Sequence, residues 1–422
     1  MQWLGRESDA ENDAIRYSRT TPSDAVAQLQ RALDAGRATL KFDARHGYLP
    51  SVLEALRIPV SSQALVFSRT SFQRERISPA TPRALYFNRD ASVSWVPGGD
   101  VLEVAAGDPR LGTVFYTLDQ RSRARPRFRR QTEACLRCHD TPSSTGGVPG
   151  LITRSVYPDR HGEPIFAAGT FLTTDRSPFS ERWGGWYVTG THGAQRHMGN
   201  VTGEYSPDGR HLDVTAGANV TDLRSRMDTS RYLTGHSDIV ALMVLEHQNA
   251  VSNLITRASY RARMALYFDQ VRNDDLRRPA DFVSGATIAT VKTVAEPLVQ
   301  AMLFVDEAPL TSPVAGTSSF AKEFASQAPA GRDGHSLFEL DLKRRLLHYP
   351  CSYLIYSPAF DALPARVKEY VYARLWEVLS GQDSSENFAH LTPADRSAIA
   401  AILLETKPEF AAMTSRRSVS GR

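Results

Sequence analysis

"RALYFNRDASVSWVPGGDVLEVAAGDPRLGTVFYTL", residues 83–118, contains four short runs rich in β-branched and aromatic residues: "RALYFN", "SVSWV", "DVLEVAA" and "GTVFYTL". Between them lie "NRD", "PGGD" and "GDPRLG", whose Gly, Pro, Asn and Asp content marks turns. Short strands joined by tight turns pair as antiparallel neighbours, so a small antiparallel sheet or meander is predicted here. Upstream, "TPSDAVAQLQRALDAG" reads as a helix that Ser23 or Asp24 caps and Gly36 ends. A short helix, "SVLEALRI", follows Pro50, and residues 1–20 are polar and expected to be loose. Downstream, "PSSTGGVPG" (142–150) is a loop, and "LITRSVY" and "IFAAGTF" flank "PDRHGEP" as a hairpin. "GEYSPDGRHLDV" (203–214) is a further hairpin candidate.

From about residue 231 the hydrophobic period lengthens to that of a helix. "SDIVALMVLEHQNAVSNLITRASYRARMALYF" (237–268) is one long helical run, and helices are predicted at 284–304, 363–380 and 393–404. Asp383 to Asn387 reads as a linker and "SRRSVSGR" (415–422) as a frayed tail. No internal repeat is visible. The expected fold is α+β: a segment and helix at 1–37, an antiparallel β-rich domain at 38–225, and a mostly helical region at 226–415.

The β-rich part leads into "ACLRCHDT", residues 134–141. Cys135, Cys138 and His139 have the C-x-x-C-H spacing of c-type haem attachment. Two thiols add to the vinyl groups on one edge of the porphyrin, and the adjoining imidazole takes one axial position on the iron. Two other readings compete. A redox dithiol expects a thioredoxin-like βαβ context, which the flanking sequence lacks. A zinc site expects a second Cys/His pair, yet the one remaining cysteine, Cys351, lies far away in "HYPCSYLIYS" and reads as a buried small hydrophobe. Small cytochrome c domains are all-helical with the motif near the start, and this chain does not follow that arrangement.

The formal charge of +4 is too mild to imply a nucleic-acid partner, and no nucleic-acid motif accompanies it. No apolar run approaches the roughly 18 residues of a membrane span. Locally, "RSRARPRFRR" (121–130) carries six arginines and no acid. It is a candidate dock for an acidic redox partner, a candidate neighbour of haem propionates, or a solvated loop. Haem c is attached outside the cytoplasm, so an export signal is expected. The opening "MQWLGRESDAENDAIRYS" has no apolar h-region, and the sequence as written is expected to begin after signal removal, with a periplasmic location.

A second axial ligand or an open iron face is needed. "WGGWYVTGTHGAQRHMGN" (183–200) holds the densest candidates. Trp183, Trp186 and Tyr187 are expected to cover the porphyrin, and His192, His197 or Met198 to reach the iron, with Met198 leading. The bland alternative is a Gly-rich aromatic turn with surface histidines. His236, Met243 and His247 share one face of the predicted long helix; His247 is a further candidate ligand, although such a stripe usually packs in a core.

"LKFDARHGYLPSVLEALRIPVSSQALVFSRTSFQ", "ACLRCHD", "RWGGWYVTGTHGAQRHMGN", "HSDIVALMVLEHQ" and "YPCSYLIYSPAFDALP" together resemble a family of exported bacterial mono-haem cytochrome c-like proteins of unassigned activity. The resemblance implies one haem at Cys135, Cys138 and His139 and a periplasmic location. It implies no reaction. Two classes of function stay open, with a sensor or a subunit of a larger respiratory complex as a third possibility. An electron carrier needs a six-coordinate iron and a redox partner protein. A haem enzyme acting on peroxide, oxygen, a nitrogen oxide or a small organic molecule needs an open iron, with His192 or His197 as distal acid/base.

Overall fold

The four β-rich runs are consecutive antiparallel neighbours in the computed structural model, which describes residues 9–203, 212–329 and 334–420, and side chains only to residue 415 in the last helix. In chain order the first half carries helices α1 (Ala25–Asp34) and α2 (Leu49–Ala55), then strands β1 (Ala64–Val66), β2 (Arg83–Phe87), β3 (Ala91–Trp95), β4 (Val101–Asp108), β5 (Gly112–Asp119) and β6 (Phe128–Gln131). The one-turn helix α3 (Leu136–His139) follows, then β7 (Thr153–Val156), β8 (Thr170–Thr173) and β9 (Trp186–Tyr187). Seven strands form one antiparallel sheet in the order β6-β5-β4-β3-β2-β1-β9, and β7 pairs with β8 as the expected hairpin. The candidate hairpin at 203–214 lies largely outside the described residues.

Strand side chains alternate between faces, so the register sorts them into two sets. Val93, Leu102, Val104, Val114, Tyr116 and Leu118 point into a core shared with Ile15, Tyr17, Val26 and Val52. On the other face, Phe115, Ala105, Ser92 and Phe87 stand opposite one another across β5, β4, β3 and β2. The N-terminal segment is not loose over its described residues. Ile15 and Tyr17 are buried, Tyr17 Oη donates to the Thr113 carbonyl at 3.0 Å, and Arg261 pairs with Asp9 at 2.6 Å. Burial of Ile15 alone is worth roughly 2 kcal/mol, which the polarity of the flanking residues concealed.

The long helix is α4 (Ile239–Asp275), about 55 Å at the α-helical rise. Asp238 caps it, accepting from the Val240 and Ala241 amides. The sequence predicts an apolar stripe here, but every residue from Ile239 to Asn249 is buried, because this stretch packs on all sides. His236 precedes the helix and so does not share a helical face with Met243 and His247. It lines a polar cleft of about 410 Å³ with Ser61, Thr317, Ser318 and Glu323.

Against α4 pack α5 (Gly285–Met302), α6 (Phe320–Ala325), α7 (Pro358–Asp361) and α8 (Ala365–Leu379), and on α8 in turn pack α9 (Pro393–Thr406) and α10 (Pro408–Ser420). The tail is therefore helical as far as Ser420 rather than frayed from 415. The Asp383–Asn387 linker is tied down, with Asp383 paired to Arg374 at 2.7 Å. The core joins residues on both sides of 225: Trp183, Trp186 and Val188 lie in one apolar cluster with α4, α5 and α8. No helix among the described residues is long and apolar enough to cross a membrane.

Candidate functional site

β6 delivers the chain to the motif. Its register pairs Gln131 with Phe115, and Cys135 follows as the residue before α3. The His139 ring lies 5.0 Å from the Phe115 ring, which puts the motif over the second face of the sheet. Cys135 is half-buried, Cys138 is exposed, and both are free thiols.

The loop after the motif turns back on His139. Gly146 and Gly147 have φ of 77° and 78°, a left-handed conformation that costs glycine little. The turn brings Gly150 against His139, where two hydrogen bonds join them. The Gly150 amide donates to the His139 carbonyl at 2.9 Å, and His139 Nδ1 donates to the Gly150 carbonyl at 2.9 Å. Helix α4 holds this loop: Asn253 Nδ2 donates to the Leu151 carbonyl at 2.8 Å. A Cβ on Gly150 would lie 2.0 Å from Asn253 Oδ1, so a side chain there would displace the Asn253 amide that holds the loop. The proton is thereby assigned to Nδ1, and Nε2 has no hydrogen-bond partner among the described residues. Burial, together with the charges of Arg83 and Arg154, lowers the His139 pKa against the opposing pull of the Gly150 carbonyl. The ring is held neutral, the form that binds a metal.

The thiols are not arranged for dithiol redox chemistry. Such a pair relies on a stabilised thiolate, whereas burial and the nearby Glu103 and Cys138 push the Cys135 thiol up to about 11. Nor is a zinc cage assembled: among the described residues no group of three or more His, Cys, Asp or Glu side chains could hold a metal ion. Two free thiols beside an imidazole whose Nδ1 is fixed and whose Nε2 is open fit a covalently held haem, which needs just those three atoms from the chain.

Residues 183–200 form a separate aromatic cluster. Trp183 is fully buried with a φ of 63°, and its ring lies 5.3 Å from that of His197, with Phe179 and His192 alongside. These histidines are buried, not surface groups. His192 has both nitrogens committed, Nδ1 to the Gln195 carbonyl at 3.0 Å and Nε2 to the Asn219 amide at 2.9 Å. His197 Nδ1 accepts from the Gly199 amide at 3.0 Å, while its Nε2 and Trp183 Nε1 are buried without a partner among the described residues. Trp186 Nε1 donates to the Arg154 carbonyl, and Tyr187 Oη to that of Pro79. Met198 is buried with its sulfur 3.7 Å from Ser155 Oγ. Neighbouring strand residues point to opposite faces, so Met198 and the Arg154 side chain lie on opposite faces of β7. No ring contact or hydrogen bond joins His139 to this cluster among the described residues.

His247 is a core residue. Its ring stacks on Phe304 at 4.1 Å, Nε2 bonds Ser352 Oγ at 2.8 Å, and Asp175 Oδ1 lies 3.5 Å from Nδ1. The order serine, imidazole, carboxylate resembles a nucleophilic triad, but Ser352 and His247 are fully buried and lock the polypeptide rather than face a substrate. Cys351 beside them is buried, as its aromatic context suggested. Sequence reading missed three residues that shape the motif's surroundings, Gly150, Asn253 and Arg154. The Gly/Pro loop signalled the turn, but nothing local connects it to α4.

The buried imidazole of His197 makes acid stability a test of this packing. Its pKa is lowered from the ordinary 6.5 to about 3, first by burial and then by His192 and Arg196. Above 6.5 neither the folded nor the unfolded chain protonates it. As pH falls from there towards 3, only the unfolded chain takes the proton, so stability falls by up to about 1.4 kcal/mol per pH unit from this group. Urea midpoints measured across that window should drop more steeply for the wild type than for His197→Gln. Equal slopes would show that His197 is not buried as described.

Scans of the chain against protein-family models, curated proteins and solved structures return no match.

Proposed function

We propose that this chain is a periplasmic redox protein carrying one covalent c-type haem, of the exported cytochrome c-like kind that its sequence resembles, and that it transfers electrons. The observation that carries the reading is the setting of His139, with Nδ1 tied to the Gly150 carbonyl and Nε2 free beside two unbonded thiols. Cys135 and Cys138 hold the porphyrin edge, and His139 Nε2 holds the iron. A haem bound there supplies reversible one-electron transfer. The protein's part is to fix the imidazole tautomer and orientation, which tunes the ligand's basicity. A periplasmic location follows from where haem c is attached. The sixth position is left unassigned, because Met198 is engaged by Ser155 and both nitrogens of His192 by backbone.

The test is direct. The chain is expressed behind an export signal with haem-attachment machinery, and the purified protein is read by haem stain on a denaturing gel and by optical spectra of the oxidised and reduced forms. One covalent haem per chain is expected. A colourless product under conditions that load a control cytochrome would overturn the proposal. Carbon monoxide then separates the two classes: rapid binding to the reduced protein marks an open iron and favours the enzyme.

A further inference from the structure

Seven arginines and one acid, Glu133, lie between Gln120 and His139. The fold engages two of the cations. Arg130 points inward, donating to the Tyr17 and Thr20 carbonyls, and Arg123 pairs with Asp119 at 2.9 Å. Arg121, Arg125, Arg127, Arg129 and Arg137 are exposed, and their guanidinium groups form no hydrogen bond or ion pair among the described residues.

Strand register sets this charge beside the motif. Across β5 and β6, Gln131 stands opposite Phe115 and Arg129 opposite Thr117. Directly opposed strand residues share a face, so Arg129 lies on the face of Phe115. The His139 ring packs on that same Phe115, 5.0 Å away. Arg137 is inside the motif, next to the exposed Cys138. The basic surface therefore borders the residues proposed to hold the porphyrin edge.

Cations on an edge strand also deter pairing with a second sheet. That accounts for little here, because β6 begins at Phe128 and of the five only Arg129 lies on it. Unpaired cations along one border repel one another, and an opposing acidic surface relieves that repulsion. Stable binding to a lipid surface adds buried apolar groups to charge, and single-stranded nucleic acid adds stacking aromatics. None of the exposed large hydrophobic side chains among the described residues falls between 119 and 139, and Phe128 is buried. A protein surface rich in carboxylates needs only the cations.

We infer that Arg121, Arg125, Arg127, Arg129 and Arg137 dock the acidic face of a one-electron carrier protein. The docking belongs to this surface itself. Its use rests on the haem reading proposed above: one electron passes between the carrier's centre and the haem iron, with no bond made or broken.

The probe is an acidic plant-type ferredoxin, a one-electron iron–sulfur protein. Calorimetric titration with the oxidised form reads association, which needs no haem. Stopped-flow absorbance reads electron transfer from the reduced form to the oxidised haem. Both are run at about 10 and 150 mM salt, where the screening length is about 30 and 8 Å. Exported wild type is compared with Arg125→Gln/Arg127→Gln/Arg129→Gln and with Arg125→Lys/Arg127→Lys/Arg129→Lys. Arg272→Gln/Arg277→Gln/Arg278→Gln removes equal charge from the exposed end of α4. At low salt the first variant should bind and accept electrons about tenfold more weakly than wild type, while the Lys variant and the α4 variant stay within about twofold. Most of the wild-type advantage should vanish at the higher salt. If wild type does not bind at low salt, or the Gln variant matches it, the inference fails. If the α4 variant falls as far, overall charge rather than this surface is responsible and the inference fails. It fails too if the Lys variant falls with the Gln variant, because charge is then not what acts. Tighter binding of wild type to duplex DNA or to phosphatidylglycerol vesicles through the same arginines would assign the surface to another polyanion and overturn it. A wild type that binds ferredoxin through these arginines but takes up no covalent haem overturns the haem reading and leaves the dock.

Discussion

Cys135→Ala with Cys138→Ala should abolish covalent haem entirely, leaving a chain that is colourless on a denaturing gel. Each thioether needs a sulfur at a fixed place on the porphyrin edge, and the third cysteine, Cys351, is fully buried and cannot substitute. Loss of both thiols should leave the fold itself standing. Cys138 is exposed and Cys135 half-buried, and the bonds that shape the loop come from His139, Gly150 and Asn253 instead. Far-ultraviolet circular dichroism of the variant should match that of the wild-type chain made without haem. Export is the companion condition: the wild-type chain made in the cytoplasm, away from attachment machinery, should also stay colourless. Retained covalent stain in the double variant would place the attachment elsewhere and remove the basis of the functional proposal.

Arg182→Met should destabilise the protein by about 3–5 kcal/mol, the range found when one member of a buried ion pair is removed. Arg182 is 3% exposed and Glu246 fully buried; their side chains meet at 3.0 Å. Arg182 also donates to the Ser177 and Asp175 carbonyls, each at 2.9 Å, so it closes the turn that presents Phe179 to Trp183 and His197. Without it Glu246 is an uncompensated buried carboxylate, one of whose oxygens already lacks a partner. Burial already raises the Glu246 carboxyl, with Arg182 as the largest opposing influence. Loss of that cation raises it further. Protonation of the folded state then relieves the charge at low pH, so the deficit should shrink as pH falls and grow as pH rises. The double variant Arg182→Met/Glu246→Met should recover most of the loss, because an apolar pair of similar volume has no charge to desolvate. Denaturant titrations of the single and double variants at two pH values decide this. A double variant as unstable as the single would show that shape, not charge, is what the pair contributes.

Local sequence was enough for the main strands and helices. The strands at 83–118 were legible because alternation and turn residues act over a few positions, and the start of α1 because Asp24 caps the amides next to it. Tertiary structure decided the rest. A fully surrounded helix has no polar face, so periodicity could not foresee how deeply Ile239–Asn249 is buried. The partner of His139 Nδ1 is a backbone carbonyl eleven residues on, in a loop that Asn253 positions from a helix a hundred residues later. Where the arginine-rich run lies was also non-local. The run at 121–130 forms the sheet's edge, where side chains turn to water or back under Tyr17. The His139 ring meets Phe115 because the strand register of β5 and β6 carries the motif onto that face of the sheet, and no composition or spacing within the chain encodes that meeting.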